Sequence, residues 1–519
     1  MRSWNSLFEL LRFPLEIVFL GVVFLGIGNI ITNPALGFEA MIQSDVISAI
    51  GEISTRIGQF VVVNFPLIFL IRLTTRKGSN ATSVISALIG YVAFLVATIF
   101  FTRHDMPSNA YSGILGISIS NSTVSTMSES QYYPLQTGIV GIVIVALITL
   151  YAFNRAKKKT EYSLFPFLTK DATCMVMTIL LSLVAGIGIG FVWPYFIHFI
   201  ERVIHFVEVD TTNPINLGIY GIFERILSVC NLGSLIRQPF WYSTSGGSWV
   251  TMAGNSVAGD VNIWAEQLAA NSLTGVTGRF ITPYYVLNIF AIPAMIWGMF
   301  SLYTDKMERQ KKVGFFIFAT IASVLTGTIL PLEILLFLLA PLLFLIHVGV
   351  TGILFSLLHA FHIYVGYLAP STLLTTAMPG TLLELIGYFR YPSLQKMVFL
   401  VVIAGLITAV IYYFITRLYF KKMAVDLFKT GAEKELVKSL VKAVGGIENI
   451  RMTQSSVANI VVSVYDPSKL DANRLKSLGS YRIYETRAGF RIALGAASTM
   501  VKQDIDNAIR EVVREENAE

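Results

Sequence analysis

The stretch LTGTILPLEILLFLLAPLLFLIH, residues 325–347, holds one charged side chain, Glu333, two residues after Pro331. A carboxylate among so many apolar residues needs either a polar cavity or a basic partner, because an isolated charge in hydrocarbon is costly. Pro331 weakens the local helix, so a hairpin tip beside a cavity is one expected setting. Pairing with Arg225 or Arg237 is the other. Upstream, Arg237, Gln238, Trp241, Asn255 and Asp260 sit between apolar segments. Aromatic faces beside amides and charged groups suit ligands that present C–H faces and hydroxyl edges. The Gly/Ser-rich STSGGSWVTMAGNS, residues 243–256, reads either as a loop lining such a site or as an external loop. It is not a P-loop, since no GK[ST] follows TSGGSW.

Metal and redox chemistry find little support. Cys174 and Cys230 both lie in apolar surroundings, and no CxxC or Cys/His spacing is present, so neither a metal nor another cofactor is implied. His198 and His205 lie on an amphipathic stretch and read as interfacial residues. His347, His359 and His362 lie on apolar helical runs and read as satisfied core residues.

The elements that must position these groups are membrane helices. The chain has 519 residues, 54% hydrophobic and only 14% charged, against about 25% charged in soluble domains. Its formal charge of +7 does not by itself argue for nucleic acid. Runs long enough to span occur at 13–33, 57–73, 82–102, 137–153, 172–195, 283–303, 313–330, 333–348, 350–366 and 396–418, about ten in all. The piece 214–236, broken by Glu224 and Arg225, either spans or enters and leaves on one side. The first run has no clean cleavage site and reads as an anchor helix. Two amphipathic stretches, 42–60 and 195–210, have the pattern of interfacial helices and equally of helices packed on protein. Basic clusters at Arg72/Arg76/Lys77, 154–159, 305–312 and 417–422 belong in the cytoplasm, and the loop 104–134, free of Lys and Arg after Arg103, belongs outside. Both termini are then cytoplasmic. Residues 432–519 are polar and lack spanning runs. Their helix, strand and glycine-turn signals predict a small α+β domain after a linker at 423–431.

The chain as a whole resembles the enzyme IICB permeases of the bacterial phosphoenolpyruvate-dependent sugar phosphotransferase system, glucose/glucoside branch. YYPLQTGIVGIVIVALITLYAFNR is similar to that family's PLQTGI helix and basic loop. VAGDVNIWAEQ followed by GRFITPYYVLNIFAIPAMIWGM is similar to its HGDI loop and following helix. The segment around Glu333 resembles its LTGITEPIEF…APLLY.IH…TG signature, and the tail follows its IIB pattern. The resemblance implies a polytopic membrane domain with re-entrant hairpins over 1–422, a IIB-like cytoplasmic domain over 432–519, and a homodimer in the bacterial plasma membrane. It also implies a sugar substrate and phosphocarrier proteins as partners of the tail.

The departures from that pattern fall on the residues that would do chemistry. The IIB phospho-cysteine position is Ser456, the arginine three residues on is Asn459, and no cysteine follows Cys230. A serine hydroxyl needs a positioned base that a thiolate does not. Where the family has a histidine pair, NLGSLIRQPFW has Gly233 and Ser234, and the first signature glutamate is Leu330. Glu333 matches the second glutamate, which survives. The expectation is a sugar permease that binds and facilitates without phosphorylating. The alternatives are a sugar sensor whose tail engages a regulator, and an active permease served by a IIB domain from another chain.

Overall fold

The computed structural model describes residues 2–33, 36, 44–75, 81–102, 106–111, 133–158, 169–252, 254–302, 306–368, 379–423, 431–455, 459–471, 473–474, 483–486, 489–493 and 505–506. The chain divides into two compact units, Glu9–Ala424, and Val425–Glu519 with Met1–Phe8.

The larger unit is helical. α1 (Arg2–Thr32) meets α2 (Asp45–Val63) through small residues: a Cβ on Gly28 would collide with Thr55, and one on Gly58 with the Leu25 backbone. α2 contains most of the amphipathic stretch 42–60, yet it buries Gly51, Ser54, Thr55 and Gly58 and turns Ile50, Ile53 and Ile57 outward. That inversion belongs to a helix whose surroundings are lipid and whose packing relies on small side chains. α2 stops at Asn64, and α3 (Phe65–Thr74) starts with Pro66 in its first turn, so the span expected at 57–73 is two helices. α4 (Thr82–Phe101), α5 (Gly138–Lys157) and α6 (Lys170–Val209) lie together, with Gly90 against Thr178 and Gly186 against the Phe94 carbonyl. α6 has 40 residues, about 60 Å at 1.5 Å per residue. The apolar run 172–195 and the amphipathic stretch 195–210 are therefore one continuous helix.

The second half carries shorter pieces. α7 (Pro214–Val229) ends in a turn at Asn231, where φ is 60°, and α8 (Ser234–Tyr242) follows. β1 (Ser248–Val250) and β2 (Ser256–Ala258) pair as an antiparallel hairpin before α9 (Asp260–Ala269). α10 (Thr282–Phe300) contains a π-helical turn at Leu287–Ala291. α11 (Lys306–Thr326) and α12 (Leu330–Leu339) are separated by Gly327, whose φ of +68° suits a residue without Cβ. α13 (Pro341–Ala360) packs on α7, where Gly218 and Gly352 each face the other's carbonyl at 3.0 Å from an ideal Cβ position. α14 (Leu382–Tyr388) and α15 (Pro392–Met423) complete the unit.

Among the described residues, eight helices are long and apolar enough to cross a membrane. The difference from the sequence expectation has two sources. The apolar part of α11, Val313–Thr326, is short, and the spans read at 333–348 and 350–366 are one long helix, α13, behind the short α12. The outward faces carry Leu147, Leu180, Phe399 and Leu406, each more than half exposed. Such faces require a hydrocarbon solvent.

The smaller unit has α16 (Gly431–Ala443), closed by Gly445 and Gly446 with φ near +100°. β3 (Ile450–Ser455), β4 (Asn459–Val464), β5 (Ile483–Thr486) and β6 (Gly489–Ala493) form an antiparallel sheet in the order β3-β4-β6-β5. Leu440, Val444, Ile460, Val462, Phe490 and Ile492 form its core. β3 was not evident as a strand in the sequence, because an edge strand needs only a thin apolar pattern and Arg451, Met452 and Gln454 are exposed. Residues 494–504 and 507–519 lie outside the described residues.

Candidate functional site

Glu333 sits in the first turn of α12 and is fully buried, directly beside the break that Gly327 and Pro331 create. Arg225 on α7 donates from Nη1 to Glu333 Oε1 at 3.0 Å and from Nε to Glu224 Oε2. Ser228 Oγ donates to Glu224 Oε1 at 2.8 Å, and Arg237 Nε lies 3.8 Å from that oxygen. His347 on α13 closes the other side, with Nε2 at 3.0 Å from Glu333 Oε1 and Nδ1 at 2.8 Å from the Tyr412 hydroxyl. An ionised Glu333 can only accept, so Nε2 carries the proton and Nδ1 accepts from Tyr412. Two guanidiniums balance two carboxylates, and each ring nitrogen is used. Arg225 also lies over the Tyr284 ring at 4.9 Å.

Arg225, Ser228, Arg237 and Glu333 of this network line a cavity of about 340 Å³, at the small end of the roughly 300–1,000 Å³ of small-molecule sites. The break between α11 and α12 supplies Gly327, Thr328, Leu330 and Glu333. The turn from α7 to α8 supplies Asn231, Gly233, Ser234, Arg237 and Gln238. Gln59 of α2 and Gln136, just before α5, face them. Gln136 Nε2 donates to Ser234 Oγ at 2.6 Å and to the Asn231 carbonyl at 3.1 Å, while its own carbonyl accepts from Trp193 Nε1 at 3.0 Å. Asn288, in the π-helical turn, donates to the Gly327 carbonyl at 2.8 Å, and its buried Oδ1 has no partner among the described residues. Buried acceptors are normally satisfied, so this oxygen is open to a ligand hydroxyl.

The structure gathers part of the sequence-derived set. Glu333, Arg237, Gln238, Gly233, Ser234 and Leu330, drawn from separate segments, line the one cavity. Trp241, Asn255 and Asp260 do not line it. Trp241 is buried and donates from Nε1 to the Tyr220 hydroxyl at 2.9 Å. Asn255 lies exposed between β1 and β2. Asp260 is buried at the start of α9, where both oxygens accept the Gly278 N–H at 3.0 Å, so it pins a loop. His359 is satisfied by the Thr212 carbonyl and the Tyr364 hydroxyl, each at 2.8 Å. In the smaller unit Ser456 lies outside the described residues, and Asn459 begins β4 opposite Ala493. Gln136, Asn288 and His347 were not singled out as site residues from the sequence. The PLQTGI and IH motifs carried the signal for the first and third.

The arrangement offers many donors and acceptors around a small polar volume and little acid–base capacity. Leu330, Gly233 and Ser234 contribute no group that takes a proton readily, and Glu333 is held by Arg225 and His347.

A family model described as "Phosphotransferase system, EIIC" matches residues 9–352. Over 525 residues the chain is 26% identical to the PTS system glucoside-specific EIICBA component of Staphylococcus carnosus (strain TM300), which covers 95% of this chain and 71% of that protein. Among solved structures, the transporter ChbC, the IIC component from the N,N'-diacetylchitobiose-specific phosphotransferase system, matches with 13% identity and a TM-score of 0.30, over 81% of this chain and 95% of that one.

Proposed function

The chain belongs to the phosphotransferase system EIIC family, membrane proteins that carry a sugar, and from that premise we propose that it binds and passes its sugar without phosphorylating it. The observation that carries this reading is the convergence of Leu330, Gly233 and Ser234 on one cavity that keeps its polar walls. Phosphoryl transfer depends on positioning and on a group that handles the proton of the attacking hydroxyl. The cavity keeps the positioning groups. The substrate class is a hexose, amino sugar or glucoside, and the relative's glucoside-specific name favours the last. The test is uptake of labelled glucoside into proteoliposomes without phosphate donors. Unmodified sugar accumulating to equilibrium is expected. Uptake that requires phosphorylated carrier proteins would overturn the reading.

A sensor is the second reading. Among the described residues the smaller unit packs a hydrophobic core although both cysteines of the chain, Cys174 and Cys230, lie elsewhere, which fits a IIB-like domain kept for docking phosphocarrier proteins or a regulator. Sugar binding without any uptake would favour it. An active permease with a IIB domain in trans is disfavoured, because Leu330 and Ser234 belong to the membrane unit itself.

The unit Glu9–Ala424 is read as a homodimer in the plasma membrane, its partner meeting the N-terminal half, with re-entrant hairpins near the cavity and both termini cytoplasmic. The distribution of Lys and Arg supports that orientation. In a cysteine-free background, Ser120→Cys should react with an impermeant thiol reagent from outside and Lys158→Cys should not. The reverse pattern would invert the topology.

A further inference from the structure

A third buried glutamate lies behind the cavity, linked to its lining residue Asn288 through one peptide group. Glu384 is in the first turn of α14, outside the eight long apolar helices, and is fully buried. Thr381 Oγ1 accepts its N–H at 3.1 Å, and its Oε2 accepts the Gly380 N–H at 3.1 Å. This T-x-x-E spacing is that of a capping box. Unlike Glu224 and Glu333, Glu384 has no ion pair among the described residues. Asn33 reaches it from the end of α1, and the titratable groups that face it are Tyr285 on α10, Tyr367, and Tyr388 on α14 itself. Burial pushes its carboxyl up to about 7, with the Gly380 and Thr381 N–H groups pulling the other way.

One peptide group joins Glu384 to the cavity. The N–H of Gly380 goes to Glu384, and the carbonyl of the same peptide, that of Pro379, accepts from Asn288 Nδ2 at 3.0 Å. Asn288 uses the same nitrogen on Gly327, and both residues line the cavity. The fit is close: at Gly380, with φ +103°, a Cβ would lie 2.7 Å from Asn288 Nδ2 and 2.8 Å from the Tyr284 carbonyl. A hydrogen bond to an ionised carboxylate is stronger than one to a neutral acid, and bonds in a chain polarise one another. The ionised form therefore fixes this peptide, and through it Asn288. Protonation loosens both.

We propose that Glu384 is a proton-binding site coupled to the sugar cavity through the Pro379–Gly380 peptide, so that sugar and proton each weaken the binding of the other. The coupling rests on the reading of the cavity as the sugar site, and it is reciprocal by linkage.

The test uses full-length protein in detergent, at about pH 5.5 and about pH 8.5, either side of the shifted carboxyl. Binding of labelled methyl glucoside should be tighter at the higher pH, by roughly five- to 150-fold if the coupling has ordinary size. Glu384→Gln, which can still accept the Gly380 N–H, should bind with little pH dependence, and Glu384→Asp should retain one. Infrared difference spectra between the two pH values should show a carboxylic acid C=O band that Glu384→Gln removes. A wild-type affinity independent of pH, or an unaltered profile in Glu384→Gln, would overturn the coupling. No binding at any pH would overturn the cavity reading and the coupling with it, while the infrared band decides separately whether Glu384 takes up a proton.

Discussion

Arg225→Leu is expected to remove most of the folded protein from the membrane. The substitution leaves Glu224 and Glu333 buried without the guanidinium that bridges them, at 0% and 1% exposure. Removing one partner of a buried ion pair costs about 3–5 kcal/mol. That is a large share of the roughly 5–15 kcal/mol of a typical domain. The His347 bond to Glu333 and the Arg237 contact to Glu224 remain, and neither spans the gap between the two acids. The charge account makes a sharper statement than the loss alone. Arg225→Leu combined with Glu224→Gln and Glu333→Gln should recover much of the yield, because neutralising a whole buried network is far milder than breaking it. Glu333→Gln alone should be tolerated, since its amide oxygen still accepts from Arg225, and should lower sugar affinity. Membrane yield and the melting temperature in detergent check all three. A well-folded Arg225→Leu protein with unchanged melting would show that the network is not what holds α7 to α12.

Glu333 was legible in the sequence because one charge in an apolar run cannot be neutral in meaning. Its partners were legible in part: Arg225 was one of the two arginines the sequence offered and does pair with it, whereas His347 was not offered as a partner. Arg225 stands 108 residues upstream, and only the packing of α7 on α12 and α13 brings it within 3.0 Å. The packing signal was present in Gly218, Gly221 and Gly352, which let α7 and α13 approach, but glycines in a membrane helix do not say which helix they meet. His347 was read as a satisfied core residue, and it is satisfied, yet its partner is the residue at issue. Trip points of the opposite kind were Trp241, Asn255 and Asp260. Lying between apolar segments placed them near the membrane surface or interior without saying which way each side chain turns. A short hairpin carries Asn255 outward, and Gly278 captures Asp260. The merged span at α13 and the continuous α6 have a common cause. Hydropathy marks where a helix is apolar, while its ends are set by residues such as Gly327, Pro341 and Thr169.

The tail is expected to accept no phosphoryl group. When the full-length protein is incubated with phosphorylated carrier proteins of the system and labelled phosphate, protein-bound label should stay at background. Two independent deficits support this. A serine hydroxyl at 456 is a weak nucleophile without a positioned base, whereas a thiolate forms near neutral pH. Asn459, the first residue of β4, brings no positive charge where the resemblance places an arginine. Among the described residues the sheet β3-β4-β6-β5 and a core around Ile460 and Phe490 are formed, so the deficit lies in the chemistry of positions 456 and 459. The order of repair should therefore matter. Ser456→Cys alone should gain little, because Asn459 still supplies no positive charge to lower the thiol pKa and meet the incoming phosphate. Ser456→Cys with Asn459→Arg should label clearly, and acid-stable linkage at residue 456 would be absent because the product is a thiophosphate. Even that doubly repaired tail should leave the transported sugar unphosphorylated, because Leu330, Gly233 and Ser234 lie in the cavity and the repair does not touch them. Label at Ser456 in the unmodified chain would instead show a changed nucleophile in a working phosphotransferase, and phosphorylated sugar formed by the double variant would show that the cavity needs none of the three replaced groups.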